Sequence, residues 1–396
     1  MNYDFSDKVT GLQASAIREI LKFTSLPQVI SFAAGNPAPE AFPSEAIGEI
    51  AAKIMKDNPV AALQYSITEG YAKLRETMKA RLLSQNSYNP EIDDVIITSG
   101  GQQGNELSCK VLLNEHETLI CEAPSFTGSL TSFKSYNVKL TGVPMEDDGM
   151  DMAMLENKLR SASKPKIIYT IPNFQNPTGI CMSEAKRKKL YELACKYNVI
   201  ILEDNPYGEI RFEGKPIPSV KSFDTEGRVI YVGSFSKVIA PGLRVGFVSA
   251  PKEIIQKIVV CKQVADVHTN IFAQMVCDEF VNNYNFDEHL KRIREIYKAK
   301  CHLMLSELEK HIPASVQFTR PEGGLFLWGT LPEKVNMPAF CKTAVENNVA
   351  VVPGSAFLVD ENTPINSFRL NYSTPSDENI VKGCAILGEV LKQMLH

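Results

Sequence analysis

The sequence predicts an α/β protein: a large domain built on a mostly parallel central sheet, joined to a smaller α+β domain. Three features carry that expectation. Between Ala51 and Ala250 short β-branched runs alternate with stretches of helical periodicity. Each run is apolar nearly throughout, as strands covered on both faces must be. Beyond a long helical stretch at 286–311 the pattern changes to short strands and isolated helices, which marks a separate α+β unit.

In chain order, the first fifty residues, rich in Pro and Gly around FAAGNPAPEAFP, are expected to pack with the smaller domain. Residues 51–290 form the large domain, through VIITSG, the helix GNELSCKVLLN, TLICEAP, KIIYTIPN, the helix EAKRKKLYELACKY, NVIILEDNP, RVIYVGSFS and RVGFVSAP. Residues 291–396 form the C-terminal small domain. The stretch FDEHLKRIREIYKAKCHLMLSELEKH, charged along one face, reads as a spacer helix ahead of GGLFLWGTLP, a helix near 338–347, NVAVVPGSAF, SFRLNYS and a closing helix. A chain of 396 residues exceeds what one core usually serves, about 250–300 residues, so two domains are expected.

Charge and composition narrow the function. The balance of 42 basic against 46 acidic side chains leaves a net charge of −4, with no electrostatic case for nucleic acid or an anionic membrane. No apolar run approaches a bilayer span, and the N-terminus lacks a basic region followed by an apolar one, so a cytoplasmic protein is expected. Nine cysteines without a C-x-x-C pair and six histidines without H-E-x-x-H argue against a disulfide framework and a metal site.

Polar residues cluster where each strand ends, and in open α/β sheets those ends converge on one ligand. ITSGGQQGNELS joins a strand to a helix through Gly100 and Gly101, followed by Gln102. That geometry either aims free N–H groups at an anion or is a plain tight turn. Phe126, in EAPSFTGS, can stack on a planar ligand or pack in the core. Asn176, in IPNFQNPTG, sits in a turn with its amide pointing outward. NVIILEDNPYGEIRF ends an apolar strand in Glu203 and Asp204, and a buried carboxylate there requires a cationic partner. SFSKVIAPGLRVGF then supplies Ser234, Ser236, Lys237 and Arg244. A lysine desolvated beside other cations becomes a nucleophile toward an aldehyde, and a guanidinium suits a phosphate. Taken together these groups describe pyridoxal 5'-phosphate: Lys237 for the aldehyde, Asp204 for the ring nitrogen, and the Gly101 loop with Ser234, Ser236 and Arg244 for the phosphate.

Over nearly its whole length, through GNP at Gly35, LQYSITEGYAKLRE, TSGGQQG, EAPSFTGS, PNFQNPTG, EDNPYGEIRF, GSFSKVIAPGLRVGF and FRLNYS, the chain resembles the fold-type I pyridoxal-phosphate aminotransferases of class I/II. Within them it is most similar to the 2-aminoadipate, kynurenine and multisubstrate branch. The resemblance implies that Lys237 bonds the cofactor aldehyde and then moves the substrate's α-proton. It implies that Asp204 keeps the ring nitrogen protonated, that Asn176 and Tyr207 hydrogen-bond the ring oxygen, and that Phe126 stacks on the ring. Tyr65 matches a tyrosine that reaches the neighbouring subunit's cofactor phosphate, which implies a homodimer with shared sites. Arg369 would bind the substrate α-carboxylate, helped by Asn176 and the backbone near Gly35. Arg18 matches an arginine used on a distal carboxylate, which points to 2-aminoadipate or glutamate, with aromatic and branched-chain donors open. Two departures stand out: Gly101 replaces a common serine, and Phe126 a common tyrosine. The implied reaction is a ping-pong transfer of the amino group from an L-amino acid to a 2-oxo acid such as 2-oxoglutarate. A β-lyase or decarboxylase on the same scaffold is the alternative. A non-enzymatic regulator is disfavoured, because the motifs begin near residue 31 and leave no room for a DNA-binding module ahead of them.

Overall fold

The structure, a computed structural model, describes residues 3–10, 12, 28–161 and 163–395. Strands are numbered along the chain from β1 (Ile30–Ser31). The central sheet contains β2 (Asp93–Thr98), β3 (Thr118–Ala123), β4 (Lys139–Glu146), β5 (Gly149–Met150), β6 (Ile167–Thr170), β7 (Ile200–Asn205), β8 (Val229–Ser234) and β9 (Gly246–Pro251), in the order β2-β9-β8-β7-β6-β3-β4-β5. From β8 to β4 every neighbour is parallel. β9 runs against both β8 and β2. The six segments between residues 51 and 290 that read as strands all form them. β4 escaped the sequence reading because KLTGVPME carries Gly142 and Pro144 and buries only Val143 fully.

Alternation along the central strands explains why they are apolar throughout. Leu119, Cys121, Ile167 and Leu202 belong to one buried cluster, while Ile120, Ile168 and Ile201 belong to another on the opposite face. Helix Gly101–Leu112 packs over β7, β8 and β9 on the first face, and helices Met152–Leu159 and Glu184–Tyr197 cover the second. Ser183 caps the latter helix through the Lys186 N–H, and Asn198 in left-handed conformation closes it.

A second sheet, with neighbours antiparallel, places β10 (Gln317–Phe318), β11 (Phe326–Thr330), β14 (Ser367–Asn371) and β13 (Val352–Pro353) side by side. β1 pairs parallel with β12 (Val349–Ala350), which brings the chain around residue 30 onto the C-terminal part. The 26-residue helix Phe286–His311 packs along the closing helix Asp377–Leu395. Among the described residues no helix is long and apolar enough to cross a membrane.

One buried ion cluster ties the entry edge of the sheet. Lys221 Nζ meets Asp93 Oδ1 and Asp224 Oδ2 at 2.8 Å each and donates to the Val229 carbonyl at 2.9 Å. All three side chains are almost wholly buried. Replacing Lys221 by Met leaves two carboxylates in the interior without their cation, an expected cost of about 3–5 kcal/mol. Urea unfolding measures it, and a loss near zero would mean that the cluster relaxes into water.

Candidate active site

At the carboxyl ends of the parallel strands, side chains from both sheets close around a cavity of about 460 Å³. Of the residues singled out in the sequence, Gly35, Gly101, Gln102, Phe126, Asn176, Asp204, Tyr207, Ser234, Ser236, Lys237, Arg244 and Arg369 line it. Gly100 adjoins it as the residue preceding helix Gly101–Leu112. Tyr65 does not: its side chain stands on the surface, 81% exposed and edge-on to His268. Arg18 lies outside the described residues.

The segment after β8 is built as a return. The Phe235 carbonyl accepts from Val238 and Ile239, Pro241–Leu243 make one 3₁₀ turn, and Arg244 at φ 53° feeds the chain into β9. Because Ser234 pairs with Gly246, both ends of the loop meet at one rim. Lys237 Nζ donates to the Gly35 carbonyl at 2.8 Å. Burial, with the Arg369 and Arg244 charges adding to it, brings the Lys237 amine down to about 8.

Glu203 and Asp204 both end β7 buried, and the alternation of the strand sends them to opposite faces. Glu203 is satisfied by the Val220 and Lys221 N–H groups at 3.0 and 2.8 Å. Asp204 faces the cavity, where its Oδ2 accepts from Asn105 at 2.7 Å and from the Tyr169 hydroxyl at 2.8 Å. Its Oδ1 takes no hydrogen bond among the described residues, and no cation pairs with it there. Burial pushes this carboxyl up to about 6, against the two hydrogen bonds that favour its charge. Asn105 and Tyr169, steadied by Ser129, were not singled out in the sequence reading. For Asn105 a signal existed: it follows Gly101 by four residues, on the same helix face.

Arg369 comes from β14 of the other sheet, opposite Trp328. It donates to Asn176 Oδ1 at 2.8 Å and to the Ala33 carbonyl at 2.7 Å, and its guanidinium lies over the rings of Phe326 and Phe357 at 4.4 and 4.8 Å. Its buried Nε has no partner among the described residues. Burial lowers this guanidinium to about 10, and it pushes the Tyr207 phenol well up.

At the far end, no side chain caps helix Gly101–Leu112, so its first N–H groups are free to meet an anion. Close approach depends on glycine. A Cβ on Gly100, at φ 79°, would lie 2.3 Å from Arg244 Nη2, and one on Gly246 would lie 2.6 Å from the Gly100 carbonyl carbon. Gly128 likewise leaves room for the Phe126 ring.

A lysine with a depressed amine, a buried acid at the next strand end and an anion cradle beside them define a pyridoxal-phosphate enzyme of fold type I. Residues 27–387 match the profile of the aminotransferases of class I and II, and the chain belongs to that family. It is 41% identical to an aromatic-amino-acid aminotransferase of Thermococcus litoralis, over 98% of this chain and 94% of that one. The crystal structure of a multiple-substrate aminotransferase from Thermococcus profundus superposes with a TM-score of 0.95 at 39% identity, covering 99% of this chain and 98% of the other. An α-aminoadipate aminotransferase from Thermus thermophilus, complexed with N-(5'-phosphopyridoxyl)-L-leucine, gives 0.90 at 39% identity, with the same coverage. The protein is a pyridoxal-phosphate-dependent aminotransferase of amino acids. The residues here fit the cofactor: Asp204 lacks only a cationic N–H, Lys237 is a neutralisable amine, and the Gly100 turn lies against a guanidinium.

The lowered amine makes a pH prediction. A lysine is nucleophilic when neutral, so the rate at which apoprotein bonds an aldehyde rises with pH and levels off above about 8, not near the 10.5 of an ordinary lysine. Arg369→Gln removes a neighbouring positive charge and moves the midpoint upward. Stopped-flow absorbance of the bound cofactor measures both.

Proposed function

We propose that the cavity transfers an amino group from a broad range of L-amino acids to a 2-oxo acid, 2-oxoglutarate among them, in two half-reactions at one site. What carries this reading is the meeting of Lys237, Asp204 and Arg369 in one cavity. When bound, the cofactor supplies an electrophilic aldehyde and an electron sink. Lys237, whose Nζ stands in the cavity, would hold the cofactor through its aldehyde, and its amine would serve as the base and acid for the proton at the substrate's α-carbon. Asp204, steadied by Asn105 and Tyr169, would keep a proton on the ring nitrogen. Arg369 and Asn176 would take the substrate carboxylate, while Tyr207, Asn176 and Phe126 would hold the cofactor ring. The Gly100-Gly101-Gln102 turn, Ser234, Ser236 and Arg244 would hold the phosphate.

Beside Arg369 the cavity is lined by Phe326, whose ring lies against the guanidinium, with Tyr207 edge-on to that ring, which supports aromatic and aliphatic donors. Arg18 is the candidate for a distal carboxylate, as in 2-aminoadipate or glutamate. The proposed assembly is a homodimer. Met55, Leu63, Tyr65 and Phe272 line a surface concavity of about 680 Å³, and Val60, Ile67 and Val264 are exposed as well. Large apolar side chains exposed in and beside a concavity support an interaction site there. Nine free cysteines support a reducing compartment, and the cytosol remains the proposed location.

Two measurements test this. With an amino-donor panel and 2-oxoglutarate, glutamate is the expected product; pyruvate and ammonia in its place would establish a β-lyase. Lys237→Ala loses about 10²–10⁴-fold from proton transfer alone. Arg369→Ala raises KM for every donor by about 10- to 100-fold, whereas Arg18→Ala affects only donors with a second carboxylate. Light scattering on the holoenzyme reads the assembly. A monomer that turns over at full rate would remove the shared-site reading of Tyr65.

A further inference from the structure

Outside the cavity, one buried charge has no part in the reaction as described. Lys262, on helix Lys252–Asp266, is fully buried, and its Nζ meets both oxygens of Asp266 at 2.8 Å and Gln103 Oε1 at 2.8 Å. Desolvating Lys262 offsets much of what its pairing with the partly exposed Asp266 returns, so the value of the pair lies in the geometry it imposes. Asp266 Oδ2 accepts from Ser99 Oγ and from Gln103 Nε2, each at 2.8 Å. The Ser99 N–H in turn donates to Gln103 Oε1 at 2.8 Å. Ser99 and Gln103 are the two residues that bracket Gly100, Gly101 and Gln102. The Ser99 carbonyl also accepts from Arg244 Nη2 at 3.2 Å.

The backbone beyond Asp266 bears a matching cost. Val267 has φ 63° and ψ −61°, and the His268 N–H donates to the Asp266 carbonyl at 2.7 Å. This is a positive-φ γ-turn, an unfavourable conformation for a β-branched residue, and it persists only where its surroundings enforce it. It reverses the chain so that Thr269 Oγ1 meets Ser99 Oγ at 3.2 Å. Ser99 is thus held from both sides of the turn.

We propose that Asp266, clamped by Lys262, is a positioning residue for the cofactor phosphate: through Ser99 and Gln103 it sets where the Gly100-Gly101 turn and the Arg244 guanidinium stand. This rests on the reading that these groups hold the phosphate. It predicts a defect specific to the phosphate end of the ligand, with the aldehyde and ring unaffected.

The experiment titrates apoprotein with pyridoxal 5'-phosphate and, separately, with pyridoxal, which has the same ring and aldehyde but no phosphate. Asp266→Asn and Ser99→Ala are expected to weaken the phosphorylated ligand by about tenfold, the loss of a charge-assisted hydrogen bond's geometry, while pyridoxal stays within about twofold. Ser99→Thr, which keeps the hydroxyl, restores the preference. If Asp266→Asn does not fold, Ser99→Ala decides, since it leaves the Lys262–Asp266 pair intact. Equal losses for both ligands, or no loss, overturn the proposal. Arg244→Gln is the control. If it discriminates between the ligands and Ser99→Ala does not, only the positioning role falls; if Arg244→Gln fails to discriminate, the phosphate reading falls and this inference with it.

Discussion

Desolvation of charge at the carboxyl ends of the parallel strands is the constraint on which the site depends. Lys237, Asp204 and Arg369 would each be unremarkable in water. Enclosed in one cavity they move together: the amine falls toward neutrality, the acid rises, and even the guanidinium is lowered. Two cations, Arg369 and Arg244, add to the effect of burial on Lys237, so groups with proposed binding roles also tune the amine. Protein partners answer part of each charge. Asp204 has its Tyr169 and Asn105 bonds, and Arg369 has Asn176, Ala33 and two aromatic faces. What they leave over is the recognition chemistry of a ligand carrying a cationic N–H, an aldehyde and two kinds of anion.

The reversal between β8 and β9 turns this chemistry into a site. An all-parallel sheet would separate Lys237 from Arg244 by a long crossover. The antiparallel β9 brings the chain back within one short loop, and Gly246 lets it lie against the Gly100-Gly101 turn. The second sheet closes the other side, because β1 pairs with β12 and so holds Ala33 against Arg369 of β14 and Gly35 against Lys237.

Much of this was legible beforehand. Strands buried on both faces have apolar runs that end abruptly in polar motifs, so Asn176, Asp204, Lys237 and Arg244 could be placed at one sheet edge from local pattern alone. Residues acting through those groups were harder to find. Tyr169 reads as an ordinary strand aromatic, Ser129 as a helix serine, and Lys262 and Asp266 as a common i, i+4 surface pair. Only the fold shows that Lys262 is fully buried and that Asp266 reaches a loop more than 160 positions away in the chain. Tyr65 carries the opposite lesson: a motif residue that the resemblance ties to the phosphate lies on the surface of the single chain, where local sequence cannot say what it faces.

The sequence by itself determined the fold class, the order of the strands along the chain and the residue types delivered to each strand end, since period-two burial and turn chemistry are local properties. The tertiary structure decided the rest. It set which of Glu203 and Asp204 faces the cavity, which donors hold Asp204, how far Lys237 is desolvated and what keeps Ser99 in place. Those depend on sheet order, on the antiparallel run of β9 and on burial, which arise from contacts between segments distant in the chain.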